Sequence, residues 1–161
     1  MSAPDRSYLQ KNARELERMR TLIARLTDDD LRKPANNEWT VAATLLHVAY
    51  WDMRTLWLAD KIARGEPFTP AEVEPEPPTW INDVARPFLH AVDPREAARL
   101  ALRTAEDADR RVAGLPPEKL WPNDQGSLLN AFRSEHRREH LDKIEEALRV
   151  PTTSPPRPSA R

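Results

Sequence analysis

His136 and His140, one helical turn apart, are the residues of this chain best suited to chemistry. They lie in the stretch Ser127–Leu148, which has no Pro or Gly and is rich in strong helix formers. Residues four apart share a helix face, with Cβ atoms about 6 Å apart. Both imidazoles fall in the stripe of Leu129, Phe132, Ile144, Ala147 and Leu148, where aliphatic side chains are expected. Two inward histidines at this spacing suit a divalent metal ion if a third ligand arrives from elsewhere. His47, in the apolar company of Val41, Leu45 and Val48, is the candidate third ligand. Neutral imidazoles suit Zn, Ni, Cu or Fe(II), with Zn or Ni favoured here. Such a site lowers the pKa of a bound water, or holds a cofactor thiolate instead. The competing reading is plainer: histidine pairs at this spacing also occur on solvated helices, or as hydrogen-bonded core residues.

Other polar residues near these positions are not read as ligands. Glu135 and Glu139 are rotated away from the histidines and face water. Arg133 reads as a solvated arginine that could otherwise meet an anionic substrate. Asp52 is five residues past His47, a poor match to its face, and His90 reads as a surface or loop histidine. Trp39, Trp51 and Trp57 read as core or interface residues, with Trp51 close enough to His47 to line a pocket mouth. Trp80 and Trp121 lie on connections and would cap the ends of the fold.

Four amphipathic segments must position these groups. Ser7 to Leu26 is the first helix, with Leu9, Leu16 and Ile23 on one line, Met19 and Leu26 on the next, and Leu22 widening the face. Thr27–Asp30 ends it, and a polar connection with Pro34 runs from Leu31 to Glu38. Thr40 is the N-cap of a second helix reaching Arg64 before Gly65. That helix is apolar on more than one side, which fits a buried helix or one whose second face meets another subunit. Gly65 to Thr79 is too rich in Pro to continue it and reads as a lid, wrap or mobile loop. Trp80 to His90 is a short irregular helix interrupted at Pro87. Asp93 and Pro94 start a third long helix as N-cap and first residue. Its small residues Ala98, Ala101, Ala105 and Ala108, with Val112 and Leu115, admit a close neighbour or leave a space for something else, and Gly114 with Pro116 and Pro117 stops it. With no alternating strand pattern, the expected architecture is all-α, an antiparallel four-helix bundle over residues 1–149. Residues 150–161 read as a disordered Pro-rich tail.

Composition narrows the class. The chain has 161 residues, enough for one core, and 25 Lys and Arg against 26 Asp and Glu. A net charge of -1 gives no electrostatic reason to expect nucleic acid or an anionic membrane as partner. There is no cysteine, so disulfides, thiolate metal sites and a Cys nucleophile are excluded. Any thiol chemistry needs a thiol from outside. No run spans a bilayer and the N-terminus has no signal-peptide core, so the expected location is cytoplasmic. With only 3 Gly, the chain has no Gly-rich phosphate loop.

The stretch Glu38-Trp-Thr-Val-Ala-Ala-Thr-Leu-Leu-His47-Val resembles the signature E-W-[ST]-V-x-x-x-L-x-H-[LV] of the DinB-like (YfiT-like) superfamily. Glu135-His-Arg-Arg-Glu-His140 resembles its closing H-x-x-x-H helix, and the likeness covers about Ser7 to Leu148. The superfamily is unrelated to the DNA polymerase that shares the name. The resemblance implies a four-helix bundle with a divalent metal held by three histidines, His47, His136 and His140 here, often as a homodimer. Members include mycothiol-dependent maleylpyruvate isomerases, bacillithiol S-transferases, metal-dependent hydrolases and colibactin-resistance proteins of the ClbS type. Trp80 to Asp93 is somewhat similar to the last group. Arg- and Pro-heavy usage suggests a GC-rich genome, and in an actinobacterium the thiol would be mycothiol.

Two functions compete. One is a metal-dependent enzyme, a hydrolase or a low-molecular-weight-thiol-dependent transferase or isomerase acting on a small-molecule substrate. The other is a non-catalytic protein that binds or sequesters a small molecule; beside both stands a plain structural bundle whose histidines are hydrogen-bonded core residues.

Overall fold

The computed structural model describes residues 5–69, 72, 78–120 and 129–149. They form seven helices and no strand: α1 (Ser7–Arg25), α2 (Asp28–Arg32), α3 (Val41–Arg64), α4 (Pro78–Ala91), α5 (Pro94–Ala113), α6 (Pro117–Leu120) and α7 (Arg133–Arg149). The four long helices α1, α3, α5 and α7 pack as an all-α bundle. No described helix is long and apolar enough to cross a membrane.

Local chemistry sets the helix ends. Thr40 Oγ1 accepts from the Ala43 N–H at 3.1 Å and starts α3. Gly65 ends it in the left-handed region, φ 69°, donating to Ile62 O at 3.1 Å. Asp93 Oδ1 accepts from the N–H groups of Arg95 and Glu96, both at 3.0 Å, and starts α5. All residues of α3 from Val41 to Ala49 are buried, whereas Tyr50, Met53 and Trp57 form an exposed second face. The alanines of α5 at 97, 98, 101, 105 and 108 are fully buried, which brings α3 and α5 into the most extensive contact of the bundle.

Cross-helix pairs give the directions. Asn12 meets Ser134 and Arg18 meets Asp142, so α1 and α7 run parallel. Asp60 of α3 pairs with Arg111 of α5, and Val41 to Ala49 share a core cluster with Ala97 to Ala105, so these two helices are also parallel. Asp52 pairs with Arg133 while His47 faces His140, and Arg20 pairs with Glu106 while Arg95 reaches Leu26, so α3/α7 and α1/α5 are antiparallel. The order is up, down, down, up, so the antiparallel packing expected holds for α3/α7 and α1/α5 but not for α1/α7 and α3/α5. Parallel neighbours need a connection that travels back along the bundle. Helix α4 lies within that return, between the end of α3 and the start of α5. The described residues 65–69 and 78–79 of the Pro-rich segment, expected as a lid, wrap or mobile loop, lie at the end of α3 and the start of α4 within this connection.

Four features depart from the expectations. Thr27 to Arg32 is no plain linker: Thr27 Oγ1 accepts from Asp30 N at 3.1 Å and Asp30 Oδ2 from Thr27 N at 3.0 Å. This reciprocal cap starts α2 and lets Leu31 become fully buried. Helix α4 runs through Pro87 without interruption, forgoing the hydrogen bond that proline cannot donate. Helix α7 starts at Arg133, since Asn130 Oδ1 takes the Phe132 N–H and Asn12 takes Ala131 O and the Ser134 N–H. Leu129 and Phe132 therefore precede the helix, and Ser127 and Leu128 lie outside the described residues. In α1 the buried line is Tyr8, Asn12, Glu15, Met19 and Leu22, while Leu9, Leu16 and Ile23 are only partly buried. The expected tail, Trp121 and much of the Pro-rich loop lie outside the described residues.

The alanine seam yields a direct test. Ala101→Leu adds volume where α5 has no room and should destabilise the protein by roughly 1–3 kcal/mol, seen as a lower midpoint in denaturant with unchanged slope.

Candidate metal centre

The antiparallel pair α3/α7 brings the three histidines together. His47 on α3 is buried, and His136 and His140 on α7 are half-buried. One ring nitrogen of each lies within 4.8 Å of those of the other two, a cluster that could hold a metal ion. The ring centroids are 5.2 Å apart for His47 and His136, 4.7 Å for His47 and His140, and 4.6 Å for His136 and His140. His47 Nε2 is 3.3 Å from His136 Nε2. Trp39 stands edge-on to His47 with centroids 5.3 Å apart, and Trp51 lies at 6.5 Å.

Electrostatics keeps the rings neutral. Burial pushes His47 down to about 4, helped by His140 and Lys143. Burial likewise lowers His140 to about 4, with Lys143 adding to it. His136 is lowered furthest, to about 2, by burial and then by the Arg133 guanidinium. Neutral imidazole is the form that binds a metal. Three neutral nitrogen donors without thiolate fit a borderline divalent ion.

A cavity of about 220 Å³ opens on His47 and His140, walled by Asn36, Trp39, Thr44, Asn82 and Lys143 among others. Helix α4 closes one side and is pinned there by side chains. Trp51 Nε1 donates to Asn82 Oδ1 at 3.2 Å, His90 Nε2 donates to Glu38 O at 3.0 Å, and Arg86 pairs with Glu38 at 2.8 Å. The exposed His90 is thus a strut of the cavity wall and stands outside the cluster of three.

Beneath the histidines lies a charge network that the sequence reading missed. Arg133 Nε donates to Asp52 Oδ1 at 2.7 Å and Arg137 Nε to Asp52 Oδ2 at 3.0 Å. Arg137 also donates to both oxygens of Asp109 at 2.7 and 2.9 Å and to Ala105 O at 3.3 Å. The side chains of Asp52 and Arg137 are fully buried and that of Arg133 is 6% exposed, so Arg133 is not the solvated arginine expected, and Asp52, a poor match to the face of His47, serves the arginines instead. Burial raises the Asp109 carboxyl despite Arg137. A signal was present in the sequence. The fully inward line of α7 is Arg133, Arg137, Leu141 and Ile144, at helical spacing. The histidines flank that line instead of sitting in it. Glu135 and Glu139 face solvent as expected.

The family model of the DinB superfamily matches residues 12–143, and the chain belongs to that superfamily. No curated protein and no solved structure matches it significantly.

The depressed histidines set a pH signature for the metal-free protein. Unfolded, each ring takes up a proton below about 6.5, whereas the folded site resists protonation until near 4 or lower. The unfolded state then binds more protons, so folding stability falls as pH drops from about 6.5 towards 4 and is flat in this respect above about 7. Thermal melts of chelator-treated protein should show Tm falling between pH 7 and 5, and His140→Gln should flatten the fall. Coincident wild-type melts across that range contradict the assignment.

Proposed function

We propose that this protein is a metal-dependent enzyme in which His47, His136 and His140 hold one divalent ion, Zn or Ni, beside a substrate cavity. The observation that carries the proposal is the convergence of three ring nitrogens from two helices to within 4.8 Å. A bound ion supplies Lewis-acid activation of a water or of a thiol. The chain's own residues do the rest. Burial keeps the three rings neutral, the charge state in which imidazole binds a metal. Trp39 and the wall of α4 shield one side of the site from water. Thr44, Asn82 and Lys143 line the space a small polar substrate would fill, and Trp51 holds Asn82 in that wall.

The reaction class is hydrolysis, or transfer or isomerisation that uses a low-molecular-weight thiol such as mycothiol. With no cysteine in the sequence, a thiol used here comes from outside, and the cytoplasm is the compartment that keeps such thiols reduced. A homodimer belongs to the same proposal, with the exposed Tyr50, Met53 and Trp57 face of α3 as its surface.

Protein reconstituted with Zn²⁺ or Ni²⁺ should retain close to one ion per chain and turn over members of an ester and thiol–electrophile panel. His47→Ala and His136→Ala should each lose more metal affinity than the 10–100-fold that outer-shell changes cost. Turnover should fall with it. Equal turnover in wild type and His136→Ala contradicts the proposal, and tight small-molecule binding without turnover, indifferent to chelator, marks a sequestering protein instead.

A further inference from the structure

In most histidine metal sites, the ring nitrogen turned away from the ion donates its proton to a carboxylate or carbonyl oxygen. His136 departs from that pattern. Its Nδ1 lies 3.1 Å from Nη2 of Arg133. A guanidinium has donors only, so Nδ1 must be the acceptor. In a neutral ring the proton then sits on Nε2. That Nε2 is 3.3 Å from Nε2 of His47, so His136 donates and His47 accepts across the space an ion would enter. Arg133 is held in this pose. Its side chain is 6% exposed, and its Nε donates to Asp52, which Arg137 fixes from the other side at 3.0 Å.

We infer that Arg133 is a positioning residue that locks His136 in the Nε2–H tautomer and makes it the last and weakest of the three nitrogens to take a divalent ion. The inference rests on the three-histidine reading above. Among the described residues the hydrogen bond of this arginine to a histidine is the one to His136, so His47 and His140 take an ion without its rearrangement. His136 joins only when its Nε2 proton leaves to water and a proton from water arrives on Nδ1, with no net change in charge. The new Nδ1–H then faces an N–H of Arg133, donor against donor, so the guanidinium must give up this contact. The hold of Asp52 on Arg133 therefore tunes how firmly the site closes around its ion. A carboxylate in the place of Arg133 would do the opposite, stabilising the Nδ1–H form that ligation needs.

Two measurements test this. Zn²⁺ affinity is read by competition with a chromophoric chelator at pH 7.5, in wild type and Arg133→Gln. The glutamine oxygen can accept from Nδ1–H while its amide still reaches towards Asp52. Binding should tighten about tenfold, the size of an outer-shell effect. Where wild type binds Zn²⁺, unchanged or weaker binding by the variant overturns the inference. The second measurement spares the buried ion pair: ¹⁵N spectra of the imidazoles of the full wild-type chain, with the His136 signals identified by His136→Gln. Metal-free protein should show a protonated Nε2 and a bare Nδ1, switching to protonated Nδ1 with one equivalent of Zn²⁺. A protonated Nδ1 in the metal-free protein overturns the inference whatever the affinities are. If neither protein binds Zn²⁺ and Nε2 carries the proton, the metal reading fails. The hold of Arg133 on His136 then stands as a feature of a proton-sharing His47–His136 pair.

Discussion

Asp52 carries the constraint on which the site depends. Its carboxylate is fully buried and takes one arginine on each oxygen, Arg133 and Arg137, both from α7. Through Arg137 the same cluster reaches Asp109 and the Ala105 carbonyl of α5. Three helices are thus tied at one level of the bundle, one turn from the histidines. Removing one partner from a buried pair strands a charge, at a cost of roughly 3–5 kcal/mol. That cost fixes the register of α7 against α3, and the register decides whether His136 and His140 face His47. A slip of one residue along α7 would turn both rings away by about 100°.

Much of the fold was legible because it rests on local chemistry. Thr40, Gly65 and Asp93 with Pro94 mark helix ends by side-chain or backbone properties that a sequence displays directly. The small residues of α5 announced a close neighbour, and α3 meets them. The order of directions was not legible. Nothing in the amphipathic pattern of a helix says whether its neighbour runs parallel or antiparallel. That information lies in long-range pairs such as Asn12 with Ser134 and Asp60 with Arg111. Nor did apolar periodicity find Asn12 and Glu15 inside the bundle. They are buried because they have partners, Asn12 on the start of α7 and Glu15 with Arg18. The start of α7 was misjudged for the same reason, since Asn12 and Asn130 compete for backbone groups the helix would otherwise use.

The candidate site divides along the same line. His47, His136 and His140 could be singled out because histidine beside aliphatic residues is unusual. The residues that govern them could not, because arginine and aspartate are read as surface groups unless their partners are known. Arg133 and Arg137 carry charge into the core only because Asp52 and Asp109 await them. The resulting site is electrostatically uncommon. It holds three neutral imidazoles above a cluster of fixed charges, with the one contact from that cluster to a histidine, among the described residues, made by a cation. Burial and that cation disfavour protons on the rings, and a divalent ion would have to overcome the same cation.

The central claim is that these three nitrogens close on one ion. An anomalous difference map at the zinc edge, from crystals of the full chain grown with Zn²⁺, tests it most directly. One peak with His47, His136 and His140 nitrogens at about 2.0–2.1 Å is the expected result. A peak elsewhere, or one at this place bound by water alone, contradicts it.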